Sequence, residues 1–399
     1  MKWVGGGVTA AQGFSASGIS AGIKPSRRPD LALVVSESPC DAVGVVTANR
    51  VKAAPVQISL GRLKRGRARA VLLNSGCANC LTGAAGVQDA LRLGRAVAQT
   101  LRVPDADVLL ASTGIIGTRL PVARVQRAVP RLIASLSRAN HREAAWAILT
   151  TDRHPKEAAV ELSINGQRCR VGGMAKGAGM IAPSMATMLS VMTADVGAAP
   201  GVLRHLLREA VAATFNRVSV DGAMSTNDTV FLLANGRSGV QLRHGMPSVS
   251  RFARALRTVA QRLARLIVED GEGASRIMDV IVSGARSPRD AQACARQVAL
   301  SPLVKTMLAG GDPNVGRIAA AVGASPARFD PDKLEIFLED QRVVTKGHLV
   351  SFSSSVVRTL LRRPEVTVRI DLHAGRAEDR MSTCDLTAEY VRINAGYAT

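Results

Sequence analysis

The sequence predicts an α/β protein, because short apolar segments of strand length alternate with longer segments of helical periodicity along the whole chain. Polar and glycine-rich loops follow several of the apolar segments, as they do at the carboxyl ends of strands in α/β sheets. With 399 residues, the chain can form one large α/β body or two domains around a substantial core. Aromatic residues make up only 3% of the sequence, so we expect that core to be aliphatic.

In the first half of the chain, short apolar runs predict strands, and apolar residues recurring every three or four positions predict helices. Asn165-Gly166 is the strongest hairpin signal, because both residue types tolerate the positive φ of a two-residue turn. We therefore predict strands at residues 31–36, 43–46, 55–60, 70–74, 108–111, 158–164 and 168–171, and helices at residues 84–101, 121–138 and 141–149.

In the second half, the clearest element is a long helix at residues 248–268. Phe252, Leu256 and Val259 lie on its apolar stripe and its arginines lie off the stripe, which is typical of a packing helix and not of a helix that reads DNA. The same reasoning predicts further helices at residues 199–213, 287–308 and 317–323, strands at residues 188–196, 230–234, 334–344, 366–372 and 384–393, and a polar tail from residue 394.

The net charge of +21 raises the possibility of a nucleic-acid-binding protein. The densest basic run, residues 62–69, contains no aromatic residue, so a solvated surface and a functional basic patch both stay open. Either arrangement favours anionic substrates by electrostatic steering. No apolar run approaches the roughly 18 residues of a membrane span, and no signal-peptide pattern follows Met1, so we predict a cytoplasmic protein without membrane contact.

Cysteine usage gives no sign of a metal site. Cys77 and Cys80 form a single Cys-x-x-Cys pair, and no second pair or Cys/His cluster completes a zinc-binding set. We therefore predict no bound metal and reduced thiols.

Two polar loops contain candidate site residues, one after the strand predicted at residues 108–111 and one after the helix predicted at residues 248–268. Ser112-Thr113-Gly114 could offer a hydroxyl and a backbone N–H to one point, which is what an oxyanion hole requires, although a helix N-cap region explains the same residues. Asp270-Gly271-Glu272 is either a turn or a carboxylate that faces a ligand.

The most informative stretch is residues 176–189, where a glycine-rich turn precedes a strand. We expect flexible backbone there, because Gly177 and Gly179 tolerate positive φ, and we expect a hydroxyl nucleophile, Thr187, at the start of the strand. The Thr187 hydroxyl could attack the Ala186 carbonyl, and hydrolysis of the resulting ester would leave Thr187 with a free α-amine that serves as its own general base. An ordinary loop is the alternative interpretation.

This stretch, Lys176-Gly-Ala-Gly-Met-Ile-Ala-Pro-Ser-Met-Ala-Thr187-Met-Leu, resembles the self-cleavage segment of the ornithine acetyltransferase (glutamate N-acetyltransferase) family of arginine biosynthesis. The resemblance runs the whole length of the chain and preserves the order of these further motifs: Gly6-Gly7-Val8-Thr9-Ala10, Asn74-Ser75-Gly76, Ser112-Thr113-Gly114, Thr150-Thr151-Asp152, Ser225-Thr226-Asn227-Asp228-Thr229, Asp270-Gly271-Glu272-Gly273-Ala274, Gly311-Asp312-Pro313-Asn314 and Tyr390-Val391-Arg392-Ile393-Asn394. It implies a layered α/β fold of the N-terminal-nucleophile type, shared with self-processing aminopeptidases, and cleavage into residues 1–186 and 187–399.

The resemblance also implies a role for each site residue. Thr187 is the nucleophile, and Thr113 with Gly114 stabilises the oxyanion. The implied substrate contacts are Thr150 or Thr151, Lys176, Thr187, Glu272, Asn394 and Thr399. The implied reaction is a ping-pong transfer of acetyl from N-acetylornithine to glutamate, with acetyl-CoA as a possible second donor, no cofactor, and a heterotetramer of two α and two β fragments.

The sequence departs from the family pattern at Cys77, Ala223, Met224, Val315 and Ala398, which leaves substrate range and acetyl-CoA use open. Two other classes also stay open: a hydrolase or aminopeptidase of the same fold, which would pass the acyl group to water, and a nucleic-acid-binding protein suggested only by the charge.

Overall fold

The computed structural model describes residues 1–182 and 188–396. Its strands, numbered in chain order, are β1 Lys2–Trp3, β2 Phe14–Ile19, β3 Leu31–Val46, β4 Arg67–Asn74, β5 Val108–Ser112, β6 Lys156–Ile164, β7 Gln167–Lys176, β8 Leu189–Ala194, β9 Gly197–Ala198, β10 Val218–Ser219, β11 Thr229–Ala234, β12 Gln241–Leu242, β13 Ile277–Ala285, β14 Glu335–Leu338, β15 Gln341–Thr345, β16 His348–Leu349, β17 Glu365–Asp371 and β18 Ala377–Cys384.

The helices are numbered in the same way. They are α1 Ala54–Leu63, α2 Gly83–Leu101, α3 Val122–Ala134, α4 His141–Ala147, α5 Pro200–Ala213, α6 Pro247–Glu269, α7 Pro288–Leu300, α8 Pro302–Gly310, α9 Gly316–Gly323, α10 Ser354–Leu361 and α11 Ala388–Gly396. Within the described residues, none is long and apolar enough to cross a membrane.

The larger sheet has nine strands in the order β1-β6-β7-β8-β11-β3-β4-β5, with β2 paired to β3. Strand β8 lies between β7, to which it is antiparallel, and β11, to which it is parallel. The pairing sets Lys176, the last residue of β7, opposite Leu189, the first residue of β8. The candidate cleavage segment runs between these two residues, from the end of β7 to the start of β8.

Both faces of this sheet are covered by apolar side chains. In β11, Val230 and Leu232 face the core built with α5 and α6, whereas Phe231 and Leu233 face the opposite core, to which α4 contributes. Helix α6 buries the predicted stripe and exposes most of its arginines, which confirms the packing helix predicted there. Helices α2 and α3 cover β3, β4 and β5 in a further core.

The smaller sheet has seven strands in the order β10-β18-β13-β17-β14-β15-β16. Side chains from α7, α8, α9 and α10 pack with its strands into a separate apolar core. Its other side meets α6, because Ile277 and Cys384 belong to the same core as that helix. Sheets and helices therefore alternate in layers, as predicted.

Most predicted elements are present, and the hairpin at Asn165-Gly166 is confirmed by φ values of 52° and 80° at its two residues. The strand predicted at residues 55–60 is wrong. These residues lie in helix α1, which begins after an extended Ala53 and has a proline in its first turn. Proline at that place is favourable for a helix start, because the missing N–H has no intrahelical partner there.

Three further predictions are wrong in the second half. The single strand predicted at residues 334–344 is a hairpin of the antiparallel strands β14 and β15. The helix predicted at residues 287–308 is two helices, because the Ser301 hydroxyl caps α8 by accepting the Val304 N–H and Pro302 begins that helix. The strand predicted at residues 384–393 is also absent. Strand β18 ends at Cys384, and α11 carries Asn394, which we had placed in a polar tail.

Candidate active site

The loops that follow β4 and β5 lie side by side. Strands β4 and β5 are parallel and adjacent, with Asn74 paired to Ser112 at their carboxyl ends. The Thr113 backbone N–H donates to the Asn74 carbonyl oxygen at 2.9 Å, and the Ser112 hydroxyl donates to the Asn74 side-chain oxygen at 2.5 Å. The backbone amide of Thr113 is therefore already used, and its hydroxyl is the group left to face a ligand.

Gly114 occupies a position that only glycine fits. Its φ is +127°, and a Cβ there would lie 2.3 Å from the Gly76 carbonyl carbon and 2.5 Å from the Cys77 nitrogen. Neither the Gly114 N–H nor the Thr113 hydroxyl has a hydrogen-bond partner among the described residues. One N–H and one hydroxyl on consecutive residues can converge on a developing oxyanion.

Lys176 is the centre of the second part of the site. It is 1% exposed, and its ammonium group donates to the Thr150 hydroxyl at 2.7 Å and lies 3.5 Å from an Asp152 carboxylate oxygen. Asp152 also accepts the backbone N–H groups of Thr150 and Gly177, at 3.0 and 2.6 Å. Burial opposes its negative charge, but Lys176 and a second lysine outweigh this effect and hold the pKa of Asp152 well below its ordinary value.

The second lysine is Lys156, which the sequence analysis did not single out. It is also 1% exposed and bridges Asp152 at 2.7 Å and Asp270 at 2.6 Å. Asp270 in turn pairs with Arg153 at 3.2 Å. The chain from Lys176 to Arg153 holds three cations against two carboxylates, and this excess positive charge favours an anionic ligand.

The glycine-rich segment is held by hydrogen bonds at residues 177–182. Besides the Gly177 contact with Asp152, the Asp221 carboxylate accepts the N–H groups of Met180 and Ile181 at 2.6 and 2.9 Å. Met180, with φ 55°, takes a left-handed conformation, and Gly177 takes the positive φ expected of a glycine, at 156°.

Glu272 and Asn394 form the third part of the site. Asn394 donates its side-chain N–H to Glu272 at 2.8 Å, and the Glu272 backbone N–H donates to the Ala178 carbonyl oxygen at 2.8 Å. Gly179 lies directly against the Glu272 carboxyl group, since a Cβ on Gly179 would be 2.3 Å from its carboxyl carbon. The absence of a side chain at Gly179 therefore leaves room for this acid.

A cavity of about 1150 Å³ joins the first two parts. Gly114, Thr150 and Thr151 line it, so the structure brings these three predicted residues to one space. Its lining also includes three cations, two carboxylates and an aromatic ring: Lys24, Arg28, Arg153, Glu143, Asp152 and Trp146. The volume and the charge suit small anionic substrates.

Three predicted site residues, Ala186, Thr187 and Thr399, lie outside the described residues. The first residue after the gap, Met188, is bonded on both sides of its peptide unit: its N–H donates to Asp228 at 2.9 Å, and its carbonyl oxygen accepts the Thr229 N–H at 3.0 Å. Residues 1–182 and 188–396 contain no group of three His, Cys, Asp or Glu side chains able to hold a metal ion.

A layered α/β body with a free hydroxyl, a glycine N–H and a buried ammonium group around one cavity is compatible with acyl-transfer chemistry. Comparison with known proteins gives the family. The model described as the ArgJ family matches residues 15–399, and the chain belongs to that family. It is an acyltransferase of arginine biosynthesis, in agreement with the resemblance noted in the sequence.

Relatives of full length support this placement. "Arginine biosynthesis bifunctional protein ArgJ" of Symbiobacterium thermophilum is 44% identical over 402 residues, covering 100% of both chains. The protein of the same name from Nitratidesulfovibrio vulgaris is 46% identical and covers 97% of this chain and 98% of its own. The crystal structure of the ArgJ protein from Bacillus halodurans matches with a TM-score of 0.50 and 35% identity, covering 51% of this chain and 97% of the crystallised chain. The layered fold implied by the resemblance is thereby confirmed.

Proposed function

We propose that this protein cleaves itself between Ala186 and Thr187 and then transfers an acetyl group from N-acetylornithine to glutamate through an acetyl-Thr187 intermediate. The observation that carries the proposal is the pairing of Lys176 with Leu189, which places a buried ammonium group beside the chain two residues after Thr187. The same ammonium group contacts Thr150, which shares a cavity with the oxyanion residue Gly114.

In self-cleavage, the Thr187 hydroxyl oxygen attacks the Ala186 carbonyl carbon, and the bond from that carbon to the Thr187 nitrogen breaks. The nitrogen takes up the proton of the hydroxyl, and water hydrolyses the ester. Thr113 and Gly114 donate to the oxyanion formed on the carbonyl oxygen. The crystallised Bacillus halodurans chain, which is about half as long as this one, supports a protein that works as two fragments.

In acetyl transfer, the free α-amine of Thr187 accepts the proton of its own hydroxyl as the oxygen attacks the acetyl carbonyl. The proton passes to the departing nitrogen of ornithine. Glutamate then attacks the ester carbonyl with its amine, and Thr187 recovers its hydroxyl proton. Lys176 also disfavours a second positive charge nearby and so favours the neutral, basic amine.

The substrates share an α-carboxylate and an α-nitrogen, so one site serves both half-reactions. Lys176 and Thr150 provide a cation and a hydroxyl for the carboxylate, and Glu272 with Asn394 provides a polar pair for the rest of the amino acid. We further propose that acetyl-CoA is a second donor, that no cofactor is needed, that Thr399 contacts substrate, and that the cytoplasmic enzyme is a heterotetramer of two α and two β fragments.

Intact-mass spectrometry of the protein and of Thr187→Ala tests the first step. We expect two fragments from the parent, the second beginning at Thr187, and one chain from the variant. Incubation of the cleaved protein with N-acetylornithine and glutamate tests the second step, and we expect N-acetylglutamate in step with ornithine. Free acetate in its place would identify a hydrolase, and one uncut chain from both proteins would refute the self-cleavage.

A further inference from the structure

The polar run Ser225-Thr226-Asn227-Asp228-Thr229, which the sequence shows before β11, has no part in the reaction described above. Its residues are buried and join the candidate cleavage segment to the oxyanion loops. The Asn227 side-chain amide donates to the carbonyl oxygens of Ala78 and Ser112, at 2.7 and 2.8 Å. Ser112 directly precedes Thr113, so the run is fixed to the backbone that carries the oxyanion residues.

Asp228 provides the link to the other side. One of its carboxyl oxygens accepts the Met188 N–H at 2.9 Å, and Met188 is covalently bonded to Thr187. The backbone of the next residue, Thr229, donates to the Met188 carbonyl oxygen at 3.0 Å. Both polar groups of Met188 therefore depend on two consecutive residues of this run.

The second carboxyl oxygen of Asp228 is buried and has no hydrogen-bond partner among the described residues. The nearby Thr47 hydroxyl donates to the Ser225 carbonyl oxygen at 2.7 Å. Burial raises the pKa of Asp228 well above its ordinary value. A side chain that is fully buried in this way is an unfavourable choice for packing alone, because an unpaired carboxyl oxygen costs stability.

We propose that Asp228 is a positioning residue that acts on the nucleophile Thr187 by holding the adjoining Met188 peptide unit. This inference rests on the proposed function. The carboxyl group acts as a hydrogen-bond acceptor and its negative charge is not required. Because a displacement of about 1 Å can slow a positioned reaction roughly 100-fold, loss of this anchor slows the attack of Thr187 in both self-cleavage and acetyl transfer.

Asp228→Asn and Asp228→Ala separate the acceptor from the charge. Asparagine keeps an oxygen for the Met188 N–H and stays neutral, so we expect self-cleavage within about threefold of the parent. Alanine removes the oxygen, and we expect cleavage to slow about 100-fold. In material that has cleaved, kcat falls for the alanine variant and KM for N-acetylornithine stays within about twofold, because Lys176, Thr150 and Glu272 are on other segments.

Asp195 supplies a matched control. It is fully buried just beyond the opposite end of β8 and also accepts backbone N–H groups, from Arg170 at 2.7 Å and Gln12 at 3.1 Å. Asp195→Ala therefore makes a comparable defect at the other end of β8, and we expect it to lower thermal stability while folded protein cleaves at nearly the parental rate.

The outcomes are distinguishable. A parent protein that does not cleave at Thr187 refutes the proposed function, whatever the variants do. A parent that cleaves, with Asp228→Ala cleaving within threefold of it, overturns the positioning role, as does Asp228→Asn slowed more than about 30-fold. If Asp228→Ala yields no folded protein, Asp228→Asn decides: cleavage within about threefold of the parent supports an acceptor whose charge is not required, and cleavage slowed by more than that overturns it.

Discussion

Gly114 allows the most direct test of the proposed oxyanion site, because a side chain there would collide with backbone atoms, which cannot rotate away as a side chain can. A Cβ at this position would lie 2.3 Å from the Gly76 carbonyl carbon, whereas ordinary van der Waals contact begins at 3.4 Å. In Gly114→Ala, the two loops must therefore separate by about 1 Å. The φ of +127° adds strain of roughly 1–3 kcal/mol for a residue with a side chain.

The expected result follows from the displacement of the Gly114 N–H. A donor moved by about 1 Å no longer reaches the oxyanion, so kcat should fall about 100-fold, equivalent to roughly 2.7 kcal/mol of activation free energy. KM should change little, because the Lys176 and Glu272 contacts are separate. Self-cleavage should slow by a similar factor, measured as the decay of the intact mass with time after purification of the precursor.

Gly117 is the matched control in the same loop. Its φ is +88°, so alanine introduces comparable backbone strain, but a Cβ there meets nothing within 4 Å. We expect Gly117→Ala to lose some thermal stability and to keep kcat within about threefold of the parent. Equal kcat losses in the two variants would show that strain, and not displacement of the donor, controls the rate. A folded Gly114→Ala with parental kcat would refute the oxyanion assignment.

Three further variants test other contacts. Gly179→Ala would place a Cβ 2.3 Å from the Glu272 carboxyl carbon and displace that side chain, so steady-state kinetics should show KM raised about tenfold with little change in the denaturation midpoint. Lys156→Met removes the cation between two buried carboxylates, including Asp152, and should lower the free energy of unfolding in urea by about 3 kcal/mol; an unchanged midpoint would contradict the buried ion chain. Burial lowers the pKa of Lys24 to about 8. Between pH 8 and roughly 10.5 the unfolded chain therefore binds one more proton than the folded chain, and the contribution of Lys24 to the free energy of unfolding rises with pH in that window. Lys24→Met should lack this rise, and parallel curves of unfolding free energy against pH for the two proteins would exclude the contribution of Lys24.

Local patterns predicted the elements that local chemistry controls. The stripe of α6 and the Asn165-Gly166 turn were correct because each depends on residues close in sequence. The strand predicted at residues 55–60 failed because its apolar run also suits a helix with proline in the first turn.

The site shows the same division. The motifs pointed to Lys176, Thr150 and Glu272. Lys156 carried no comparable signal, because a single residue separates it from an apolar run and its partner Asp270 is more than a hundred positions away. A lysine at the start of a buried strand was the only available signal. Asp228 stood in a recognised motif, yet its contact with Met188 depends on the pairing of β8 with β11, which the sequence does not reveal.

The strand order of the larger sheet would make the stability of the protein depend on the association of its two fragments after the proposed cleavage. Strands β8 and β11 from the second fragment lie between β7 and β3 from the first, so the hydrogen-bond ladders of one polypeptide continue through the other. Separation of the fragments would open two ladders in the middle of the sheet and divide two cores to which both fragments contribute. Unfolding would therefore also be dissociation, and recovery would require two polypeptides to meet, which makes it depend on concentration. The uncut chain needs no such encounter, because its two halves are tethered. The chain would then fold once, before cleavage, and the lifetime of the cleaved enzyme would be set by its rate of unfolding.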